Sequence, residues 1–157
     1  MIQFEKFTLA NGLRVIVHQD TSTPMAVMNI MYDVGARDEN PERTGFAHLF
    51  EHLMFGGSIN IPNYDEPLQM AGGENNAYTT NDLTNYLMQL TAENLETAFW
   101  LESDRMLSLA YSEKSLDVQR KVVCEEFKEH YLTNPYGDVW HKLRELAYKV
   151  HPYRWMT

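Results

Sequence analysis

The chain has 157 residues, 44% of them hydrophobic and 22% charged, values typical of one folded domain and not of a disordered chain. The formal net charge of −9 disfavours a nucleic-acid partner, because a negative surface repels the phosphate backbone. No apolar stretch is long enough to span a bilayer, and one cysteine excludes an internal disulfide. Without a recognisable secretory signal, we expect a cytoplasmic protein without membrane contact; a periplasmic location would fit a chain trimmed of its leader.

Residues of high β propensity and alternating apolar positions predict strands in the first 90 positions. The first pair forms a predicted hairpin, because Asn11 and Gly12 supply the two positive-φ residues that a tight primed turn demands. In chain order, the predicted strands cover residues 7–10, 13–17, 26–34, 77–79 and 84–90.

Helical spacing of apolar residues, together with Gly and Pro at the ends, predicts helices after the second strand segment and again after the last strand. A polar loop over residues 35–44 leads into the first of them, and Gly56 with Gly57 ends it. In chain order, the predicted helices cover residues 45–55, 63–71, 92–107, 112–132 and 137–150. This order of strands and helices indicates the α+β class.

The most informative stretch is His48-Leu49-Phe50-Glu51-His52, inside the first predicted helix. Positions four apart share one helix face, so His48 and His52 can direct two imidazoles at one zinc ion. Glu51 lies at the edge of that face, where it can take a proton from a zinc-activated water that attacks a carbonyl carbon. The pattern is the reverse of the His-Glu-x-x-His helix of zinc peptidases.

The alternative is that the two histidines and the glutamate lie on a solvated helix face. Their surroundings argue against it, because the helix is otherwise largely apolar and buried polar groups need partners. A shared metal ion would satisfy both imidazoles together with a carboxylate. The apolar neighbours are Phe46, Ala47, Leu49, Phe50, Leu53, Met54 and Phe55.

Seven further segments accompany this motif, namely residues 11–15, 34–39, 45–48, 54–58, 72–79, 82–86 and 120–126. In sequence and in order they resemble the inverted-zincin peptidases of family M16, which include pitrilysin, insulin-degrading enzyme and the mitochondrial processing peptidases. The resemblance covers most of the chain. It implies an α+β fold in which helices pack on one face of an antiparallel sheet, the LuxS/MPP-like metallohydrolase fold.

The resemblance also implies a third zinc ligand, a glutamate that follows a hydrophobic pair on a later helix. Alignment on Arg120 and on the pair Val122-Val123 places this ligand at Glu126, with Glu125 as the alternative. Neighbouring helical residues point about 100° apart, so only one of the two glutamates can face the metal. The family has an acidic residue where this chain has Gln119, a difference that would weaken the support of the metal.

Asn76, Ala77 and Tyr78 resemble the edge strand on which these peptidases pair an extended substrate, main chain to main chain. A turn position is the alternative interpretation of Asn76. The implied activity is that of a zinc metalloendopeptidase (a metalloprotease) that hydrolyses peptides or unfolded protein segments, with Glu51 as general base.

Relatives of this kind close a chamber from two homologous halves, and the second half supplies an arginine and a tyrosine that polarise the substrate carbonyl. We therefore expect residues 1–157 to be the truncated N-terminal part of one such domain, incomplete for full activity. Its partner would be a second half-domain, on the same chain or on a separate subunit.

Two other functions compete with the endopeptidase. A non-catalytic scaffold or peptide-binding subunit is less expected, because such members of the family commonly lose the motif that this chain retains. A zinc hydrolase of small molecules is disfavoured by the strand-like substrate edge.

Overall fold

The computed structural model describes residues 2–157, and its strands and helices follow the predicted order. The strands are β1 (Glu5–Thr8), β2 (Arg14–Val17), β3 (Met25–Tyr32), β4 (Glu74–Thr79) and β5 (Thr84–Thr91). The helices are α1 (Phe46–Met54), α2 (Asp65–Met70), α3 (Leu95–Leu107), α4 (Glu113–Phe127) and α5 (Val139–Ala147). Short 3-10 turns cover Ala36–Asp38, Ala92–Asn94 and Pro152–Arg154, and a π-helical turn, Lys128–Thr133, continues α4.

The central sheet is antiparallel, with strand order β3-β5-β4. Residues of β5 alternate between its two faces, and Tyr86, Met88 and Leu90 are buried on the face that receives α1, α2 and α3. On the opposite face, Val27 is 63% and Met31 62% exposed. The predicted α+β fold with helices on one face of an antiparallel sheet is therefore confirmed.

The hydrophobic core lies between β5 and the helices α2 and α3. Because the apolar positions of α3 recur at helical spacing, Ala98 and Leu101 face the sheet and are fully buried. Leu68 of α2 packs into the same cluster, which also includes Ile61, Tyr64, Met88 and Leu90. This core fixes the sheet on which α1 rests.

Strands β1 and β2 form a separate two-stranded sheet, so the predicted hairpin is confirmed, but its predicted turn is wrong. Only Gly12 has a positive φ, of 90°, while its N–H donates to the carbonyl of Leu9. Residues 10–12 form a three-residue loop that ends on a left-handed glycine. This loop needs one positive-φ residue where the primed turn needs two.

Helix α1 begins after Gly45, whose φ of 91° lies in the left-handed region. It ends before Gly57, which has a φ of 87° and whose missing side chain leaves room for the carbonyl of Ile61. A Cβ at Gly57 would lie 2.5 Å from that oxygen, so the chain can reverse here only with glycine. Both ends of α1 agree with the prediction to within one residue.

Helix α4 differs more from its prediction. Ser112 caps its N-terminus by accepting a hydrogen bond from the backbone N–H of Ser115, at 3.0 Å. The helix ends at Phe127, and the predicted continuation to residue 132 is a π-helical turn instead.

Within residues 2–157, every helix is too short or too polar to cross a membrane.

Candidate metal centre and cleft

Helix α1 carries the His-x-x-Glu-His motif and packs between β4 and α4. The structure brings His48 and His52 of α1 together with Glu126 of α4. The two Nε2 atoms are 3.1 Å apart, and Glu126 Oε2 lies 3.7 Å from Nε2 of His48 and 3.3 Å from Nε2 of His52. All three side chains are partly exposed, so an ion can reach them from solvent.

These separations fit the dimensions of a zinc site. In a tetrahedral site with bonds of about 2.0–2.1 Å, neighbouring ligand atoms are about 3.3 Å apart. Of the three observed separations, one equals that value at 3.3 Å, one is shorter at 3.1 Å and one is longer at 3.7 Å. Two imidazoles and one carboxylate also form a ligand set that catalytic zinc sites use, with a fourth position left for water.

Glu126, rather than Glu125, is the carboxylate that faces the histidines. Glu125 points to the outer side of α4, where its Oε1 accepts a hydrogen bond from Lys128 Nζ at 2.6 Å. Its side chain is 72% exposed, compared with 37% for Glu126. The choice left open by the sequence is thus decided by position, while the role of Glu126 as a ligand stays a prediction.

Glu51 is buried between α1 and the sheet and does not belong to the cluster of donor atoms. Its Oε2 accepts a hydrogen bond from the hydroxyl of Thr79 in β4. Its Oε1 has no hydrogen-bond partner within residues 2–157, and the carboxylate lines the same cleft as His48 and Glu126. A held carboxylate with one free oxygen suits a group that accepts and returns a proton.

The cleft beside the donor atoms has a volume of about 1020 Å³. Ala77 and Tyr78 of β4 line one wall, and Phe127, Tyr131 and Trp155 line other parts. Among the described strands β4 pairs only with β5, so its other edge opens on the cleft side. The N–H of Ala77 donates to Oδ1 of Asn76 at 2.8 Å, a bond made within the strand and not to β5. Asn76 lies inside β4 and pairs with Leu87 of β5, so it is a strand residue and not a turn residue.

Two tyrosines beneath α1 are buried with a charged pair. Burial raises the pKa of Tyr64 far above its ordinary range, and the nearby Glu102 carboxylate adds to the effect. Burial likewise raises the pKa of Tyr86. Both phenols stay neutral over the whole physiological range, so they act here as polar packing groups and not as acids.

Side chains that the sequence did not single out hold both ends of α1. Glu39, in the loop before the helix, accepts hydrogen bonds from the backbone N–H groups of Gly45 and Ala47. Arg105 of α3 donates to the backbone carbonyl of Met54 at the last turn. A glutamate a few residues before an uncapped helix start is a signal that could have indicated the first contact; the sequence holds no comparable signal for the second.

The α+β fold has its helices on one face of the sheet, and two imidazoles and one carboxylate meet beside the cleft. Together they define a protein with a candidate metal-dependent site. Residues 14–154 match the family described as insulinase, peptidase family M16. Because this match spans most of the sequence, the chain belongs to peptidase family M16.

Two curated relatives and one solved structure show the extent of the similarity. Zinc protease PqqE of Helicobacter pylori is 33% identical over 154 residues, which are 96% of this chain and 35% of that protein. A probable mitochondrial-processing peptidase subunit beta of Arabidopsis thaliana is 31% identical over 124 residues, 78% of this chain and 23% of the relative. A crystal structure of a protease from Helicobacter pylori matches with a TM-score of 0.93 and 32% identity, over 99% of this chain and 38% of that one.

The chain thus spans between 23% and 38% of the length of these proteins. Their names state that they are proteases, and one of them a zinc protease. Membership of the family supports a peptidase function in general terms.

Proposed function

We propose that this chain is the zinc-binding part of a metalloendopeptidase that cleaves peptides or unfolded protein segments. His48, His52 and Glu126 are the zinc ligands, and Glu51 is the general base. The observation that carries the proposal is the convergence of two imidazoles and one carboxylate beside a carboxylate that is not part of the donor set.

When bound, zinc supplies the Lewis acidity that makes a water molecule nucleophilic at neutral pH. The free oxygen of Glu51 would accept the proton of the attacking water molecule and later return it to the leaving amine. The hydroxyl of Thr79 holds the other oxygen, so the carboxylate keeps one orientation while the proton moves. Since Glu51 is buried, little solvent competes for this proton.

The open edge of β4 binds the substrate by adding a strand to the sheet. Asn76, Ala77 and Tyr78 form this edge. Ala77 and Tyr78 line the cleft together with Glu51, so a peptide bond paired to the edge would approach this carboxylate. The N–H of Ala77 is engaged by the side chain of Asn76, so the substrate carbonyl has to replace that bond. Binding therefore exchanges one hydrogen bond for another at this position.

The chain acts as the N-terminal part of a larger peptidase unit, together with a second M16-type half on the same chain or on a partner subunit. The name "subunit beta" of the Arabidopsis relative supports the second arrangement for some members. A cytoplasmic location is part of the same proposal.

A matched pair of substitutions tests the ligand assignment. Glu126→Gln removes the proposed ligand, and Glu125→Gln makes the same change of charge one residue earlier on the same helix. We expect one zinc ion per wild-type chain by atomic absorption, at least about 100-fold weaker affinity in Glu126→Gln, and unchanged affinity in Glu125→Gln. A wild-type chain that binds no zinc, or equal losses in the two variants, would contradict the proposal.

Glu51→Gln tests the base in the full-length protein. The variant should keep its zinc but hydrolyse a quenched unfolded peptide about 100- to 10,000-fold more slowly. Binding of the same peptide with no cleavage by the wild type would support instead the non-catalytic peptide-binding subunit.

A further inference from the structure

Charged side chains that lie outside α1 contact the backbone at both ends of this helix. We infer that Glu39 and Arg105 are positioning residues that fix α1 so that His48 and His52 meet Glu126 at the spacing a metal ion needs. This inference rests on the proposed zinc site, because without a metal the spacing has no purpose. Neither residue touches the metal ligands themselves in a hydrogen bond.

At the N-terminus, the first backbone N–H groups of any helix lack partners within the helix. Gly45 occupies the capping position and has no side chain with which to satisfy them. Glu39 does so with both oxygens, Oε2 accepting from Gly45 at 2.9 Å and Oε1 from Ala47 at 2.7 Å. A carboxylate is also favoured at the positive end of the helix dipole. The backbone is thereby fixed up to the residue that precedes His48.

At the C-terminus, the carbonyl of Met54 accepts a hydrogen bond from Arg105 Nη1 at 3.2 Å. This carbonyl lies two residues after His52. The cation complements the negative end of the helix dipole, as the carboxylate of Glu39 complements the positive end. The register of α1 is therefore set from both directions, with the motif between the two contacts.

Arg105 itself has little freedom to move. It is 2% exposed, its Nη2 donates to Glu102, and its guanidinium carbon lies 4.5 Å from the ring centre of Tyr64 and 4.7 Å from that of Tyr86. A buried ion pair is a poor source of stability, since apolar residues of the same volume often stabilise as much or more. Positioning of α1 explains why Arg105 and Glu102 form a buried pair, whereas a gain in stability does not.

Support of this kind matters because the third donor comes from a different helix. Helix α4 meets α1 through partly exposed side chains. The position of α1 therefore determines where α4 docks. A shift of α1 along its axis would move both imidazoles together relative to Glu126 and would change the 3.3 and 3.7 Å separations by different amounts.

Glu39→Gln, in the full 157-residue chain, is the decisive variant. A Gln side chain has one acceptor oxygen, so it can satisfy only one of the two N–H groups. We expect zinc affinity, measured by competition with a chromophoric chelator, to fall about tenfold, and the visible spectrum of the cobalt(II) form to change in intensity. Glu42→Gln is the matched control, because it makes the same change of charge at an exposed position of the same loop.

Arg105→Lys tests the other end, since Lys keeps the charge but lacks the planar fork of donors. We expect a similar loss of zinc affinity and a similar change in the cobalt spectrum. Ile61→Val serves as a destabilised control, because it removes one methyl group from the core and leaves both contacts of α1 in place. Folded fractions are checked by circular dichroism before each titration.

If Glu39→Gln and Arg105→Lys bind zinc within twofold of the wild type, with unchanged cobalt spectra, the positioning role is refuted while the zinc site stands. The same holds if Ile61→Val weakens zinc binding as much as they do, since loss of stability would then account for the effect. A wild type that binds neither metal refutes the positioning role and the proposed function together.

Discussion

Residues 25–107, the sheet region, differ sharply in packing from residues 113–157, the C-terminal region. The sheet region contains β3–β5 and α1–α3 with a core of fully buried side chains, including Leu90, Ala98 and Leu101. In the C-terminal region, which the structure describes throughout, no residue is buried. Yet the candidate site draws on both, with His48, Glu51 and His52 from the first and Glu126 from the second. A site of this kind combines a rigid scaffold with one donor whose position depends on docking.

The largest expected difference between the regions comes from charged pairs. Arg105→Ala leaves the buried carboxylate of Glu102 without its cation, so we expect a loss of about 3–5 kcal/mol in the free energy of unfolding. Arg120→Ala breaks an exposed pair with Asp117 and should cost less than about 1 kcal/mol. Urea denaturation of both variants measures the two values. Equal losses in the free energy of unfolding would mean that the two regions do not differ in packing.

Apolar truncations provide the second comparison. Leu101→Ala creates a cavity in the core of the sheet region and should cost about 2–5 kcal/mol. Leu143→Ala, on α5, removes a side chain that is 48% exposed, so we expect a loss below about 1 kcal/mol. Thermal and urea denaturation check both. A loss of free energy of unfolding above about 1 kcal/mol in Leu143→Ala would show that further contacts cover the C-terminal region in solution.

Alkaline pH should weaken the sheet region. Burial raises the pKa of Tyr64 and of Tyr86, so the folded state holds their protons more tightly than the unfolded state does. Their contribution to the free energy of unfolding is fully present below the ordinary pKa of about 10. Above that pH the free energy of unfolding declines, by at most about 1.4 kcal/mol per pH unit for each tyrosine. Denaturation between pH 8 and 11 should show a shallower decline in Tyr64→Phe. Tyr136→Phe, at an 85% exposed position, is the control.

The smallest expected effect concerns Cys124 in α4. Because its side chain is exposed, Cys124→Ser should change the free energy of unfolding by less than about 0.5 kcal/mol. A thiol reagent should also label the native wild type without prior unfolding. Slow labelling that requires denaturant would contradict the exposed position.

Local patterns in the sequence predicted α1, α3 and β5 well, because each buries one face and therefore shows a clear period of apolar residues. Strand β4 begins at Glu74 instead of residue 77, since its polar first residues lack β propensity and form strand only by pairing with β5. In α4, Cys124 follows two valines, yet its side chain is exposed. The periodicity of apolar residues indicates which face of a helix is apolar. It does not indicate whether another element packs on that face.

The candidate site was predictable for a different reason. His48, Glu51 and His52 share one helix turn, so their spacing alone places them together, while Glu126 required alignment with a family. Arg105 escaped sequence reasoning because its partner is a backbone carbonyl 51 positions away. Glu39 lies only six and eight positions before the groups it caps, so its contact was a local signal that was missed. Charged residues of that kind look like ordinary surface residues until the fold is known.

The wide separation of the donors along the chain has a mechanical consequence. Glu126 follows His52 by 126 − 52 = 74 positions, so zinc bound as proposed ties a long loop shut, much as a disulfide does. By the usual loop-closure relation, a tie of that length reduces the entropy of the unfolded chain by the equivalent of about 4 kcal/mol. Unlike a disulfide, this tie opens with a chelator and closes again with added metal. The docking of α4 on α1 would then depend on the supply of zinc.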